Sequence, residues 1–102
     1  MNNFVTLIGR ITRNPEVQDS IEDKKYCFIN LAIPRSYKNS EGVYETDYIP
    51  VRLEGTIATN VAEYCKQGDL VGVKGMLQKT IDGCLQVYAE RVSFLASKDI
   101  NK

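Results

Sequence analysis

Apolar and polar residues alternate from the start of the chain, which is the pattern of a β-strand with one buried face. In residues 4–11, Val5, Leu7 and Ile11 share one face, and Gly9 interrupts the run near its middle. Glycine inside a strand favours a bulge or a bend, because it permits backbone geometries that other residues avoid. The pattern therefore predicts a first strand that bends in the manner of small barrels.

Two more alternating runs flank a polar turn at residues 39–42. The predicted inward-facing residues are Cys27, Ile29, Leu31 and Ile33 in the second strand, and Ile49, Val51 and Leu53 in the third. If this hairpin is symmetric about Gly42, Pro34 lies directly opposite Pro50. Each proline must then occupy a position where the ladder needs no N–H donor.

The spacing of apolar residues changes from two to four within residues 56–67. Ile57, Val61 and Cys65 recur on one side, as they would on an amphipathic helix. Gly68 follows at the position where many helices end in a left-handed residue. We therefore expect one short helix, with Gly68 as its terminating glycine.

Two strands are predicted after the helix, one on each side of a turn at Asp82-Gly83. The expected strands are residues 70–77 and 84–94. The Asp-Gly pair is typical of a two-residue type I′ turn. The parity of apolar residues changes within the last strand, which predicts a bulge near Glu90 and Arg91.

The order of three strands, one helix and two strands is typical of the OB fold. This fold is an all-β, five-stranded Greek-key barrel, with the helix between strands 3 and 4. The apolar pattern alone also permits an SH3-like barrel or a split sheet with one helix. The 102 residues leave room for one domain, predicted at residues 1–96, with a frayed end at residues 97–102.

Composition argues against catalysis and against a metal or cofactor site. The chain contains no histidine, which is the commonest general base and metal ligand. Cys27, Cys65 and Cys84 are far apart and form no CxxC pair, so we interpret all three as buried small hydrophobic residues. No run of about 18 apolar residues and no signal peptide is present, and we expect a cytoplasmic protein.

Tyrosines and cations are predicted to share one outer surface. Because the third strand alternates, Tyr48 and Arg52 face outward. Arg35, Tyr37 and Lys38 emerge nearby, at the end of the second strand. A flat ring stacks on any base, and Lys or Arg neutralises phosphate, so this surface suits a single strand of nucleic acid.

The predicted stacking residues are Tyr37 and Tyr48. The predicted phosphate contacts are Arg35, Lys38, Arg52, Arg10 and Lys79. The 13 Lys and Arg balance the 13 Asp and Glu, so only a local patch can attract phosphate. Cross-strand pairing of tyrosines, which stabilises a hairpin without any ligand, is the alternative interpretation.

Residues 1–16, MNNFVTLIGRITRNPE, resemble the opening signature of bacterial single-stranded-DNA-binding (SSB) proteins. The likeness continues in LAIPR (31–35), TDYI (46–49), the helix at 60–68, VKGMLQ (73–78) and AERVSFL (89–95). The resemblance implies an OB barrel, single-stranded DNA as ligand, and a homo-oligomer, either dimer or tetramer, that forms through strand one. Tyr37 and Tyr48 stand where the family keeps aromatic stacking residues.

Outward-facing Phe4 and Ile8 on strand one suit that oligomer contact, although two scattered surface hydrophobic residues are the simpler interpretation. The chain departs from the family at Glu54, where another aromatic is common, and in its short hairpin at residues 79–84. It also lacks the family's flexible acidic tail, so we expect no tail-mediated recruitment of other proteins. These differences favour an accessory member, such as one carried on a phage or mobile element.

Two other functions are weighed against DNA binding. The first is a primosome-type OB module, resembling primosomal replication protein B, which contacts proteins and binds DNA weakly. The second is a metal-dependent enzyme using Asp19, Glu22 and Asp23. Those carboxylates lie in a polar segment where turn chemistry explains them, so we expect no enzyme.

Overall fold

The chain consists mostly of strands, and the described part, residues 1–98 of a computed structural model, contains one helix. The elements are, in chain order, β1 (Val5–Ile11), β2 (Gln18–Asp19), β3 (Lys25–Lys38), β4 (Tyr44–Glu54), α1 (Thr56–Tyr64), β5 (Leu70–Lys79) and β6 (Leu85–Ala96). Within this part of the chain, no helix is long and apolar enough to cross a membrane.

The sheet closes on itself through β1. The strand order is β1-β5-β6-β4-β3-β2, and β1 also pairs with β3. The change of partner occurs near Gly9, where an added Cβ would lie 2.7 Å from Cγ1 of Ile33 and 3.0 Å from the carbonyl oxygen of Ala32. The expected bend in strand one is confirmed, and the five long strands form a closed barrel consistent with the OB fold. The two-residue β2 is an addition to the predicted set.

The barrel interior holds the predicted apolar residues. The buried core consists of Ile11, Cys27, Ile29, Leu31, Val51, Leu53, Ala58, Val61, Cys65, Val71, Val73, Val87 and Ala89. Val5, Leu7, Ile33, Ile49, Ile57 and Val92 are partly buried against it. The alternation in β1, β3 and β4 therefore predicted the inward-facing residues of these strands correctly. The helix α1 packs against the same core and contacts β3, β4 and β6.

The helix ends three residues earlier than expected. Cys65 is extended, with φ −113° and ψ 149°, and Gly68 lies in a separate turn. The buried carboxylate of Asp69 accepts the backbone N–H of Lys66 at 2.8 Å and so competes with continuation of the helix. The prediction that Gly68 terminates the helix directly is wrong for this reason.

The predicted proline register is also wrong. Pro50 lies opposite Asn30, and Pro34 lies opposite Thr46. The register between β3 and β4 shifts between Pro34 and Lys38, where β3 carries two more residues than β4. The hairpin is therefore asymmetric about Gly42, and the two prolines do not face each other.

Three hairpin tips share one turn geometry. Each tip is a five-residue segment: 20–24, 39–43 and 80–84. In each segment the backbone N–H of the first residue donates a hydrogen bond to the carbonyl oxygen of the fifth, with an N–O distance of 2.8–2.9 Å. The fourth residue has positive φ in each: Asp23 (62°), Gly42 (78°) and Gly83 (88°). A type I′ turn would need positive φ at both Asp82 and Gly83. Since Asp82 lacks it, the predicted two-residue turn is wrong, and the loop has three residues.

The bulge in the last strand is confirmed. Lys74 pairs with Arg91 and Gly75 with Ala89, which leaves Glu90 as the extra residue. At this bulge, the backbone of β6 comes so close to Gly75 that an added Cβ would overlap the carbonyl oxygen of Tyr88.

The cysteines divide into two kinds. Cys27 and Cys65 are buried, as expected, and burial raises the pKa of both thiols. Cys84 is exposed, so its predicted burial is wrong. The physical reason is its place next to the β5–β6 hairpin tip, which extends beyond the closed barrel.

The chain end is attached where it leaves β6. The backbone N–H of Lys98 donates to Oδ1 of Asp69 at 3.3 Å, and the stem of Lys98 lies against Gly68. The rest of the end predicted to fray, residues 99–102, lies outside the described residues.

We expect Gly75→Ala to lower the free energy of unfolding by about 1–3 kcal/mol, because its methyl group has no space at the bulge. Gly72→Ala on the same strand is the matched control, since its Cβ would meet Leu95 at an ordinary 3.6 Å. Denaturant unfolding of both variants measures the difference. Equal stability of the two variants would contradict the close approach at Gly75.

Candidate nucleic-acid interface

The site lies on the outer β3–β4 face, by which we mean the outward-facing residues of these two paired strands. The facing pairs are Tyr26–Glu54, Phe28–Arg52, Asn30–Pro50, Ala32–Tyr48 and Pro34–Thr46. Successive side chains of a strand point to opposite sides, and the residues between these pairs fill the core. The face therefore presents aromatic, cationic and small side chains in one strip.

Tyr48 stands in the regular part of this strip. Its side chain is 64% exposed, and its hydroxyl has no hydrogen bond among residues 1–98. Ala32 lies opposite it on β3, and Arg10 of β1 lies opposite Ala32. The small methyl group of Ala32 leaves the ring of Tyr48 open on the side that faces Arg10.

Tyr37 is equally exposed, at 63%, but it lies in the irregular part of β3. The register shift between Pro34 and Lys38 separates it from the regular ladder that holds Tyr48. Both predicted stacking tyrosines are thus outside the barrel. They belong to different parts of the β3–β4 hairpin, one in the ladder and one near its tip.

Arg35 is held by carboxylates. Its Nε and Nη2 each donate to the Asp47 carboxylate at 3.1 Å, and Nη1 lies 3.5 Å from Glu45. This pairing raises the pKa of the guanidinium and lowers the pKa of the Asp47 carboxyl. Asp47 and Tyr48 are consecutive in β4, so the Arg35 head lies on the side of β4 opposite to Tyr48.

The other predicted cations have different surroundings. Nη1 of Arg10 donates to the Gly68 carbonyl at 2.8 Å. Nζ of Lys38 lies 5.7 Å from the centroid of the Tyr44 ring, within cation–π range. Lys79 ends β5 opposite Leu85, and in the described part of the chain its side chain has no ion pair or hydrogen bond.

Arg52 is the centre of a preformed network at the far end of the face. Its Nε donates to Oε2 of Glu54 at 2.7 Å, and the Tyr88 hydroxyl donates to Oε1 at 2.8 Å. The hydrogen bond from Arg52 makes the largest contribution to lowering the pKa of the Glu54 carboxyl, and the hydrogen bond from Tyr88 lowers it further. The same carboxylate raises the pKa of the Tyr88 phenol. The Arg52 guanidinium carbon also lies 4.9 Å from the centroid of the Tyr26 ring and 5.3 Å from that of Phe28.

Phe28 is the site residue that sequence reasoning missed. It is 45% exposed and meets the Tyr26 ring edge-on, with the centroids 5.9 Å apart. No role was predicted for it from the sequence. The parity rule could have identified it, because inward Cys27 and Ile29 on either side require Phe28 to face outward.

The predicted oligomer contacts lie on another surface. Phe4, directly before β1, is 81% exposed, and Ile8 on β1 is 57% exposed. Ile8 lines a shallow groove with Gly72, Arg91 and Leu95, which come from β5 and β6. This apolar strip is separate from the outer β3–β4 face.

The acidic residues of the β2–β3 segment, Asp19, Glu22 and Asp23, form no metal site. Asp19 forms an ion pair with Lys25 at 2.5 Å, and Asp23 occupies the positive-φ position of its turn. Across residues 1–98, no three potential ligands among Cys, Asp and Glu come together in a way that could hold a metal ion.

Comparison with known proteins gives consistent matches over most of the chain. A model of the single-strand binding protein family matches residues 2–82. Single-stranded DNA-binding protein 1 of Clostridium acetobutylicum is 40% identical over 105 residues, which cover 94% of this chain and 96% of that protein. Single-stranded DNA-binding protein 2 of Staphylococcus aureus is 34% identical over 110 residues, which cover 100% of this chain and 79% of that protein.

A third relative, single-stranded DNA-binding protein B of Bacillus subtilis, is 40% identical over 78 residues. These residues cover 76% of this chain and 69% of that protein. All three relatives are named for binding DNA rather than for a reaction. The family match spans the barrel strands β1, β3 and β4, the helix and β5, and so includes the outer β3–β4 face. The chain belongs to the single-strand binding protein family.

Proposed function

We propose that this protein binds single-stranded DNA along the outer β3–β4 face, largely without regard to sequence. The observation that carries the proposal is Tyr48, an exposed ring whose hydroxyl has no hydrogen bond to any described residue, in one row with Ala32 and Arg10 across three strands. The names of the relatives support the same ligand. The protein is a binder rather than an enzyme.

Stacking explains tolerance of sequence. Every base has a flat face, so a tyrosine ring can accept any of them, contributing about 1–3 kcal/mol per base. Tyr48 provides the central ring, and Tyr37 provides a second ring near the hairpin tip. A strand that contacts both would follow β4 from its middle toward the β3–β4 turn.

Phosphate contacts supply the salt-dependent part of the affinity. Lys38, Lys79 and Arg10 carry charges that no carboxylate neutralises within the described residues. Arg35 can contribute only by exchanging its carboxylate partners for phosphate. Since the whole chain has no net charge, these few side chains must provide the attraction locally.

The cellular role follows from the ligand. Protection of unpaired DNA serves replication, recombination and repair, and in bacteria these processes take place in the cytoplasm. An origin on a phage or mobile element is a further part of this proposal, supported by the short β5–β6 hairpin and by Glu54 in place of an aromatic.

Self-association through β1 is the second element of the proposal. Exposed Phe4 and Ile8 next to the groove with Leu95 form an apolar strip, which in a free monomer would face water. Pairing of two such strips would bury it and leave the outer β3–β4 face of each copy accessible to DNA.

Tyr48→Ala should weaken binding of a thymidine oligomer by about 1–3 kcal/mol, because one stacked base loses its platform. The matched control is Tyr64→Ala, since Tyr64 is equally exposed but lies on α1 away from the face. Fluorescence anisotropy of a labelled oligomer measures both. If Tyr48→Ala binds as tightly as Tyr64→Ala, the proposed surface is incorrect. Weak binding by the unmodified protein would favour the primosome-type alternative.

Lys38→Gln should make the logarithm of affinity less dependent on salt, with the slope reduced by about 0.7, because one phosphate contact is lost. Lys66→Gln, in the turn after α1, is the control and should leave the slope unchanged. Titrations at four salt concentrations give the slopes. Identical slopes for the two variants would remove Lys38 from the phosphate contacts.

Ile8→Asp should convert the oligomer into a smaller species, because a carboxylate cannot be buried in an apolar contact without a partner. Light scattering coupled to size exclusion gives the mass of each form. Ile81→Asp, at the exposed β5–β6 tip, is the matched control. A monomeric unmodified protein, or an unchanged mass for Ile8→Asp, would exclude this interface.

A further inference from the structure

The ring of Phe28 lies between two surface depressions at the end of the outer β3–β4 face. One depression is lined by Asp19, Ser20, Ile21, Glu22, Tyr26 and Arg52, and the other by Arg13, Asn14, Glu16, Gln18 and Gln67. Phe28 belongs to both linings. The ring is therefore open to a ligand that follows the face from Tyr48.

Arg52 is placed to extend this aromatic surface. Its guanidinium carbon lies 5.3 Å from the Phe28 centroid, and Arg52 is the cross-strand partner of Phe28. A guanidinium plane, like an aromatic ring, can stack on a nucleic-acid base. Phe28 and Arg52 together thus present two adjoining groups on which a base can lie.

Glu54 fixes the position of Arg52. One carboxylate oxygen accepts a hydrogen bond from Nε of Arg52 at 2.7 Å, and the other accepts a hydrogen bond from the Tyr88 hydroxyl at 2.8 Å. Because Tyr88 is held in β6, the carboxylate is anchored from a second strand. The negative charge of Glu54 also compensates the positive charge of Arg52, which reduces the value of Arg52 as a phosphate contact.

We propose that Phe28 and Arg52 form a third base-stacking position, beside those of Tyr48 and Tyr37, with Glu54 as the positioning residue that holds the Arg52 guanidinium against the rings. This inference rests on the proposed binding of single-stranded DNA. It assigns to Arg52 a stacking role in place of the phosphate contact that its charge alone suggests. The position lies about 13 Å along β4 from Tyr48, four residues away at the usual rise per residue.

The first test compares Phe28→Leu with Phe94→Leu, the same change at another exposed phenylalanine, on β6. Affinity for a labelled thymidine oligomer is measured by anisotropy, and unfolding curves establish that both variants fold. We expect Phe28→Leu to bind about 5- to 150-fold more weakly, the range for one stacked base, and Phe94→Leu to bind as the unmodified protein does.

The second test separates stacking from phosphate contact. The double change Arg52→Gln with Glu54→Gln should weaken binding while leaving the salt slope unchanged, because it removes both charges of the pair. Glu54→Gln alone should make the slope steeper by up to about 0.7, because the freed guanidinium can then pair with a phosphate. A slope that is about 0.7 shallower in the double variant would identify Arg52 as a phosphate contact and overturn the inference.

The Tyr48→Ala variant distinguishes failure of this inference from failure of the proposed function. If Tyr48→Ala weakens binding and Phe28→Leu stays within twofold of the unmodified protein, the position at Phe28 and Arg52 does not exist, although the DNA-binding face does. If neither variant changes affinity, both proposals fail together.

Discussion

The close passage of backbones at Gly9 is the constraint on which the barrel depends. There β1 leaves β5 and joins β3, and the space beside Gly9 is already filled by Ile33 and by the carbonyl of Ala32. A closed sheet has one inside and one outside, so this junction decides which side of every strand is covered. The outward position of Tyr48 follows from closure rather than from any contact that Tyr48 itself makes.

Electrostatics on this protein is local and largely prearranged. Arg35 and Arg52 are both paired with carboxylates, whereas Lys38 and Lys79 have no carboxylate partner among residues 1–98. A chain without net charge generates little long-range attraction, so encounter with DNA gains little from steering. Under the proposed binding mode, the affinity must then come mainly from short-range contacts made after the DNA strand has reached the outer β3–β4 face, among which stacking tolerates salt best.

The structure could be predicted from the sequence wherever the alternation of side chains along a strand decides which residues are buried. Alternation identified the core of β1, β3 and β4, the outward side of Tyr48 and the bulge at Glu90, because each depends on side-chain parity alone. The helix end was not predictable in this way, since the carboxylate of Asp69 captures a backbone N–H from three residues before it. Such competition between side chain and backbone has no signature in apolar spacing.

The strand register and the side-chain surroundings at the hairpins could also not be predicted from the apolar pattern. The two extra residues of β3 near Tyr37 shift the pairing after Pro34, and no motif signals them. Arg35 was expected to face DNA, but its choice of Asp47 as partner depends on that geometry. Phe28 needs no such geometry, because its outward position follows from the parity of its inward neighbours Cys27 and Ile29.

The unequal burial of the cysteines has a practical consequence. Cys27 and Cys65 are enclosed in the barrel, and burial raises the pKa of their thiols, so neither supplies much reactive thiolate near neutral pH. Cys84 alone is exposed, next to a hairpin tip that extends away from the core. A maleimide dye would therefore attach at one place in the folded natural sequence, giving an optical reporter on the β5–β6 hairpin without any substitution.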